Sequence, residues 1–282
     1  GRAAPDVAST DYRIYDARSG GFISLESLSQ SVRGTEVVLF GELHDDRVAH
    51  QLQAALLERH SRGRSGVLGM EMFERDVQEV IDRHLAGEIA ESDFVRDARA
   101  WSNYASDYRP LVETARERGW AVVGTNLPQR HASAVAREGL AALASLPPEE
   151  RRWVAATIDC PEDGYWTRFL EAMFEEADSA AHAAAHAIDE EVLRRTYLAQ
   201  CARDETMAET IVARLGEGPI FHVNGSFHSD YRYGIVPRIL RRAPETEIVV
   251  ISAIPVEEFG DGEELPIEEN RGRADFLIFT RK

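Results

Sequence analysis

Two separated segments present histidine in the same local setting. In "VVLFGELHDD" and in "FHVNGSFHSD" an apolar run stops at a glycine, and a histidine follows three positions on: Gly41 to His44, and Gly225 to His228. Carboxylates and amides accompany them. Glu42 lies inside the first motif, Glu71 ends "GMEM", Asn126 ends "GTN", and Asn224 precedes Gly225. Imidazole and carboxylate together can bind Zn, Mn, Co or iron, and they can perform general acid–base work on a bound water. As a metal site the candidate ligands are His44, His228, Glu42 and Glu71; as a hydrolytic site the base is Glu42 or Glu71.

Such residues act together only if the chain delivers them to one place. Short β-branched runs alternate with amphipathic stretches, which implies βαβ units and a mainly parallel sheet flanked by helices. Strands are expected at Glu36–Gly41, Gly66–Met72, "WAVVGTN", "PIFHVNG", "TEIVVISAI" and "ADFLIFT". Helices are expected through "VAHQLQAALLERH", from Asp76 to about Arg99, through "DYRPLVETARERG" with Gly119 as its stop, and after Pro128. In a parallel sheet, residues just beyond the carboxyl ends of strands line the ligand crevice. A glycine at that point permits a sharp turn and a close approach. Both histidines should therefore emerge on one rim of the sheet.

The segment 147–215 shows no strand pattern and reads as a smaller all-helical lobe leading into a long returning helix. Residues 30–146 and 216–282 read as the α/β sheet domain, residues 1–29 as an N-terminal extension, and residues 255–273 as a solvated loop. Within the lobe, His182 and His186 stand at i, i+4, a spacing able to hold a metal or haem, although an alanine-rich polar face is the simpler expectation. Gln200, Asp204 and Met207 share one helical stripe, and Asp204 could orient His44 or His228.

Composition narrows the partners. Asp and Glu outnumber Lys and Arg by 49 to 32, for a formal charge of −17, and no basic block is present, so nucleic acid is not an expected partner. No apolar run is long enough to span a bilayer. Cys160 and Cys201 form no CxxC pair; they can pair in an oxidising compartment or sit as thiols, and two free core cysteines are the simpler expectation. The opening "GRAAPDVAST" reads as the start of a mature or trimmed chain.

In order along the chain, "GELHDD", "GMEMFERD", "GTNLP", "LAQCARDETMAETI" and "GSFHSDYRYGIVPRI" resemble the ChaN-like haem-binding uptake lipoproteins, within the wider Tiki, TraB and erythromycin-esterase-like grouping. The likeness runs from Glu36 to about Arg242. It implies a sheet domain with a small helical domain, a location in the bacterial cell envelope, attachment to the membrane only through a lipid anchor absent from this chain, and haem bound for iron uptake, at the interface of a homodimer. It also implies a tyrosine on the iron and polar groups on the propionates. No motif position marks that tyrosine here, so Tyr104, Tyr108, Tyr231 and Tyr233 all stand as candidates. Haem asks for an apolar slot, an axial ligand and cations. Those expectations fall on His44, His228, Asn126 and Arg130, with Arg47 and Arg232 as further cations. In Tiki-type relatives the paired motifs and a glutamate hold a divalent metal that hydrolyses peptides. Three readings therefore stay open: haem binding without turnover, metal-dependent hydrolysis of a peptide or ester, and a vestigial site beside a helical interaction module.

Overall fold

The computed structural model describes residues 7–175, 189–257, 259 and 265–282. His182 and His186 lie outside the described residues. Eight strands form one sheet: β1 (Tyr12–Asp16), β2 (Gly21–Ile23), β3 (Val37–Glu42), β4 (Val67–Glu74), β5 (Ala121–Asn126), β6 (Ile220–Gly225), β7 (Ile248–Val256) and β8 (Phe276–Arg281). Their order is β2-β1-β8-β7-β3-β6-β4-β5. From β8 to β5 every neighbouring pair is parallel, and β1 is antiparallel to both β8 and β2. The architecture is thus α/β with a mostly parallel sheet between helices.

Side-chain alternation explains why the central strands read as unbroken apolar runs. Val38 and Phe40 of β3 face one layer, with Leu52 and Leu56 of the helix Arg47–His60. Val37 and Leu39 face the other, with Met207 and Ile211 of the helix Glu190–Ala213. All six residues of β3 and of β6 are buried, as expected when helices cover both faces. Each fully buried leucine or phenylalanine contributes on the order of 1.5–3 kcal/mol.

One stretch differs from expectation. Tyr12–Ile23 falls in the stretch read as an N-terminal extension, yet it is a hairpin on the sheet edge. Asp16 Oδ1 accepts from the backbone N–H of Arg18 at 3.0 Å, and Gly20 takes a positive φ of 78°, which together close the turn. The helical region expected from Asp76 to about Arg99 consists of two helices, Gln78–Leu85 and Glu91–Asp97, with Gly87 at φ 74° between them. Gly119 does end the helix Arg109–Arg118 in the left-handed region. Between residues 147 and 215 the described residues contain helices and no strand, the longest being Gly164–Glu175 and Glu190–Ala213. None of the described helices is long and apolar enough to cross a membrane.

Candidate functional site

The sheet register decides how the two histidine motifs meet. β3 and β6 are adjacent and parallel, with Gly41 opposite Asn224 and Glu42 opposite Gly225. Both chains leave the sheet at the same level, side by side. Each glycine then makes room for the other motif. A Cβ on Gly41 would lie 2.9 Å from Ser226 Cα and from Ser229 Oγ, inside the turn that carries His228. A Cβ on Gly225 would lie 3.0 Å from His44 Cε1 and 3.1 Å from His44 Nε2. The His44 ring therefore lies against bare backbone, and both histidines line the same cleft of about 330 Å³.

His44 and His228 differ sharply in surroundings. The His44 side chain is 46% exposed, with its Nδ1 3.2 Å from Glu42 Oε1. Its ring meets Trp101 edge-on at 4.8 Å, and Asn103 Nδ2 donates to its carbonyl at 3.0 Å. Desolvation opposes a charge on this ring, but the Glu42 hydrogen bond and the Glu71 charge outweigh it and raise the pKa. His228 is buried, with Nδ1 2.7 Å from Asp204 Oδ1 and Nε2 3.3 Å from Glu71 Oε1. Burial works against its charge, yet the two carboxylates lift its pKa to about 10. His228 is accordingly an imidazolium at neutral pH, with both nitrogens donating. Asp204 thus orients His228, and its other oxygen accepts from Tyr165 Oη at 2.6 Å.

The glutamates are equally committed. Glu42 is 1% exposed and accepts from Tyr108 Oη at 2.6 Å and Gln53 Nε2 at 2.5 Å, with His50 Nε2 3.2 Å from its second oxygen. Burial alone would raise its pKa, but the bonds from His44, His50 and Tyr108 hold it below the ordinary value. Glu71 Oε2 accepts the Gly225 N–H at 2.7 Å. The His228 and His44 charges overcome desolvation and keep Glu71 ionised well below the usual range. Carboxylates so fully bonded are poor general bases. Among the described residues no group of three or more His, Cys, Asp or Glu has the arrangement to hold a metal ion. In this arrangement both His228 nitrogens are engaged by carboxylates, Nδ1 by Asp204 and Nε2 by Glu71.

Other expected site residues sit elsewhere. Tyr104 and Tyr108 are 2% and 1% exposed. Tyr104 packs on Phe73 and Phe94, and Tyr108 is spent on Glu42, so neither faces the cleft. Tyr231 lies near Arg168, and Tyr233 packs on Tyr165. Asn224 ties Gly225 O and Ser229 Oγ, holding the second motif's turn. Asn126 Oδ1 accepts from Arg203 Nη1 at 2.9 Å. Arg130 is bound to Asp76 at 2.6 Å, Arg232 to Asp275 at 3.0 Å, and Arg47 is exposed at the start of its helix. Met207 is core. Cys160 and Cys201 are not free thiols: they form a disulfide with Cα atoms 5.5 Å apart, because the loop before Gly164 folds back onto the long helix.

Sequence reasoning missed the cleft's apolar wall. Phe169, Ala172 and Met173 of the helix Gly164–Glu175 face Leu43, Phe227 and the histidines. Phe227 lay inside the quoted "GSFH", yet an aromatic between two polar residues gives no sign of which way it turns.

Comparison with known proteins now bears on this geometry. The family model described as haem-binding uptake, Tiki superfamily, ChaN matches residues 28–239. The chain belongs to that ChaN family. A solved structure titled for cofacial haem binding to ChaN of Campylobacter jejuni superposes with a TM-score of 0.67 at 15% identity, covering 97% of this chain and 98% of that one. At that identity the likeness is one of fold. An erythromycin esterase in an open conformation gives a TM-score of 0.49 at 12% identity, over 90% of this chain and 78% of that one. A Bacillus cereus protein gives 0.48 at 12% identity, over 92% of each. No curated protein matches this ChaN-family chain in sequence.

Proposed function

We propose that this ChaN-family chain binds haem in the cleft between His44 and the Gly164–Glu175 helix, as part of bacterial iron uptake. One observation carries the reading: an accessible imidazole, its far nitrogen held by a buried carboxylate, faces a wall of Phe169, Met173, Phe227 and Leu43. The wall suits the edge of an apolar macrocycle. The Glu42–His44 pair supports axial ligation, since a carboxylate on Nδ1 fixes the ring and raises the basicity of Nε2. Bound haem would supply a redox-active iron, and His44 would be its protein ligand in place of the tyrosine expected from the family. Leu43, which lines the cleft, is 43% exposed, which favours a second copy covering that face. The Cys160–Cys201 bond favours the cell envelope, where disulfides persist.

The test is a haemin titration of purified protein followed at the Soret band. Saturable binding in wild type, weakened roughly 10- to 100-fold with an altered band in His44→Ala, is the expected result. No spectral change in wild type, or an unchanged one in His44→Ala, would overturn it.

A second reading has the same dyad in its favour. A carboxylate-held imidazole open to a cleft is also a water-activating base, so hydrolysis would run through His44 without a metal. Turnover of ester or peptide substrates that is lost in His44→Ala and Glu42→Gln, and insensitive to chelator, would select it.

A further inference from the structure

Each glutamate of the site contacts a buried imidazole whose other nitrogen meets a second carboxylate. Glu71 meets His228, which Asp204 holds in turn. Glu42 repeats the arrangement with His50 and Asp107. His50 Nε2 lies 3.2 Å from Glu42 Oε2, and His50 Nδ1 lies 3.4 Å from Asp107 Oδ1. His44, Glu42, His50 and Asp107 thus form one chain of groups leading away from the cleft. The His50 side chain is 2% exposed and that of Asp107 13%.

Local structure accounts for the alignment. His50 and Gln53 stand three positions apart on the helix Arg47–His60, so both reach the same oxygen of Glu42. Asp107 comes from the π-helical turn Tyr104–Tyr108, a rare conformation often found at functional sites. The same segment lays Trp101 against the His44 ring, ties Asn103 to the His44 carbonyl and sends Tyr108 to Glu42.

Charge decides what His50 contributes. Its two contacts are long and poorly aligned for hydrogen bonding, so the ring's charge counts for more than its donors. Burial opposes that charge, but Glu42, Asp107 and Asp46 outweigh burial and raise the pKa. Tyr108 and Gln53, which also hold Glu42, are neutral. Among the described residues His50 is therefore the one charged partner of Glu42 besides His44. A cation there weakens Glu42 as the acceptor for His44 Nδ1–H, and the Asp107 charge offsets part of that effect.

We propose that His50 and Asp107 are positioning residues that set how strongly Glu42 holds His44, and hence how strongly the other His44 nitrogen donates to the cleft's ligand. The proposal deepens the reading of His44 as the ligand-facing group and rests on it. Losing the His50 charge should leave Glu42 a stronger acceptor and His44 a stronger donor. Losing the Asp107 charge should do the reverse. Two merely structural contacts would have no reason to act with opposite signs.

The experiment compares wild type, His50→Gln and Asp107→Asn at about pH 6, below the ordinary histidine pKa, where His50 stays charged beside Glu42 alone. Ligand-free protein is read first, by the nitrogen-15 resonances of the His44 ring. These should move in opposite directions in the two variants, with Nδ1, the nitrogen on Glu42, moving most. With haemin bound, potentiometric titration at the Soret band reads the ratio of ferric to ferrous affinity. His50→Gln should raise that ratio and Asp107→Asn lower it, each by roughly tenfold, the lower end of what groups behind a metal-bound histidine do. For one electron, tenfold is a shift of about 59 mV. Asp107→Glu should restore both readings to wild type, and with Asp107→Asn it carries the test if His50→Gln does not fold. Shifts of one sign in both variants, or an unmoved His44 ring, would overturn the proposal. If wild type binds no haemin, the haem reading fails by itself, and the ligand-free resonances still decide whether His50 and Asp107 act on His44.

Discussion

Replacing Asp204 by Asn tests whether His228 is the buried cation on which the site is built. The substitution keeps the shape and a bond to Tyr165 while removing one of the two carboxylates on the ring. Lifting the His228 pKa from 6.5 to about 10 corresponds to ~5 kcal/mol of preference for the charged ring, at about 1.36 kcal/mol per unit. The folded pKa exceeds the unfolded one, so this stabilisation is fully present below the unfolded value of 6.5 and disappears as pH rises through about 10. With Asp204 and Glu71 sharing that preference, the variant loses roughly half of it and its folded pKa falls. The penalty is then about 2–3 kcal/mol near pH 6, about half that near pH 9, and close to zero above pH 10. Urea unfolding by circular dichroism at about pH 6, 7.5 and 9, with the disulfide intact, reads the difference directly. A penalty that stays constant across that range would mean a lost neutral hydrogen bond only. His228 would then not be an imidazolium.

Three further outcomes are expected. Gly225→Ala should alter the Soret band or abolish haemin binding at a small stability cost, since the new methyl presses on the movable tip of His44 and meets Glu71 Oε2 at an ordinary 3.6 Å; Gly41→Ala collides with Ser226 Cα and should cost about 2 kcal/mol or more, read by denaturation. Tyr108→Phe should destabilise by about 1–3 kcal/mol, because Glu42 loses a buried donor, yet leave the haem spectrum as in wild type; a changed axial signature would return Tyr108 to the iron. Converting Cys160 and Cys201 to Ser should cost about 4 kcal/mol in the chain-entropy estimate for a separation of 41 residues, and thiol reductant should then have no further effect on the urea midpoint.

The parallel sheet was legible because burial on both faces leaves strands such as "VVLF" with no polar interruption, whereas the N-terminal hairpin, a short edge with alternating character, carries a much weaker signal. Hydrophobic pattern finds a strand but not its neighbour. That β3 lies beside β6, with Glu42 opposite Gly225, is a property of the assembled sheet, and it alone turns two similar tetrapeptides into one cleft. The tyrosines show the converse limit. Tyr104 and Tyr108 occur in a polar-looking stretch, "SNYASDY", but a π-helical turn directs both inward, one onto Phe94 and one onto Glu42. The arginines were indistinguishable for a related reason. Arg130 and Arg203 both point toward the same strand ends, and only the position of Asp76 decides which of them is neutralised.

The same logic explains why one site needs both an exposed and a buried histidine. Glu71 gives one oxygen to His228 and the other to the Gly225 backbone, so β4 is bound to the turn after β6. Asp204 binds that same ring to the long helix, and Tyr165 binds Asp204 to the cleft's apolar wall. His228 is thus the cation that joins sheet, helix and wall, and a ring engaged on both nitrogens has nothing left for a ligand. His44 is held on one nitrogen only, by Glu42. Removing His228 should therefore act through the rigidity of the site, lowering stability and ligand affinity together. Removing His44 should change the ligand's spectrum and lower the unfolding free energy by about 1 kcal/mol, less than removing His228, because Glu42 keeps Tyr108, Gln53 and His50 as partners.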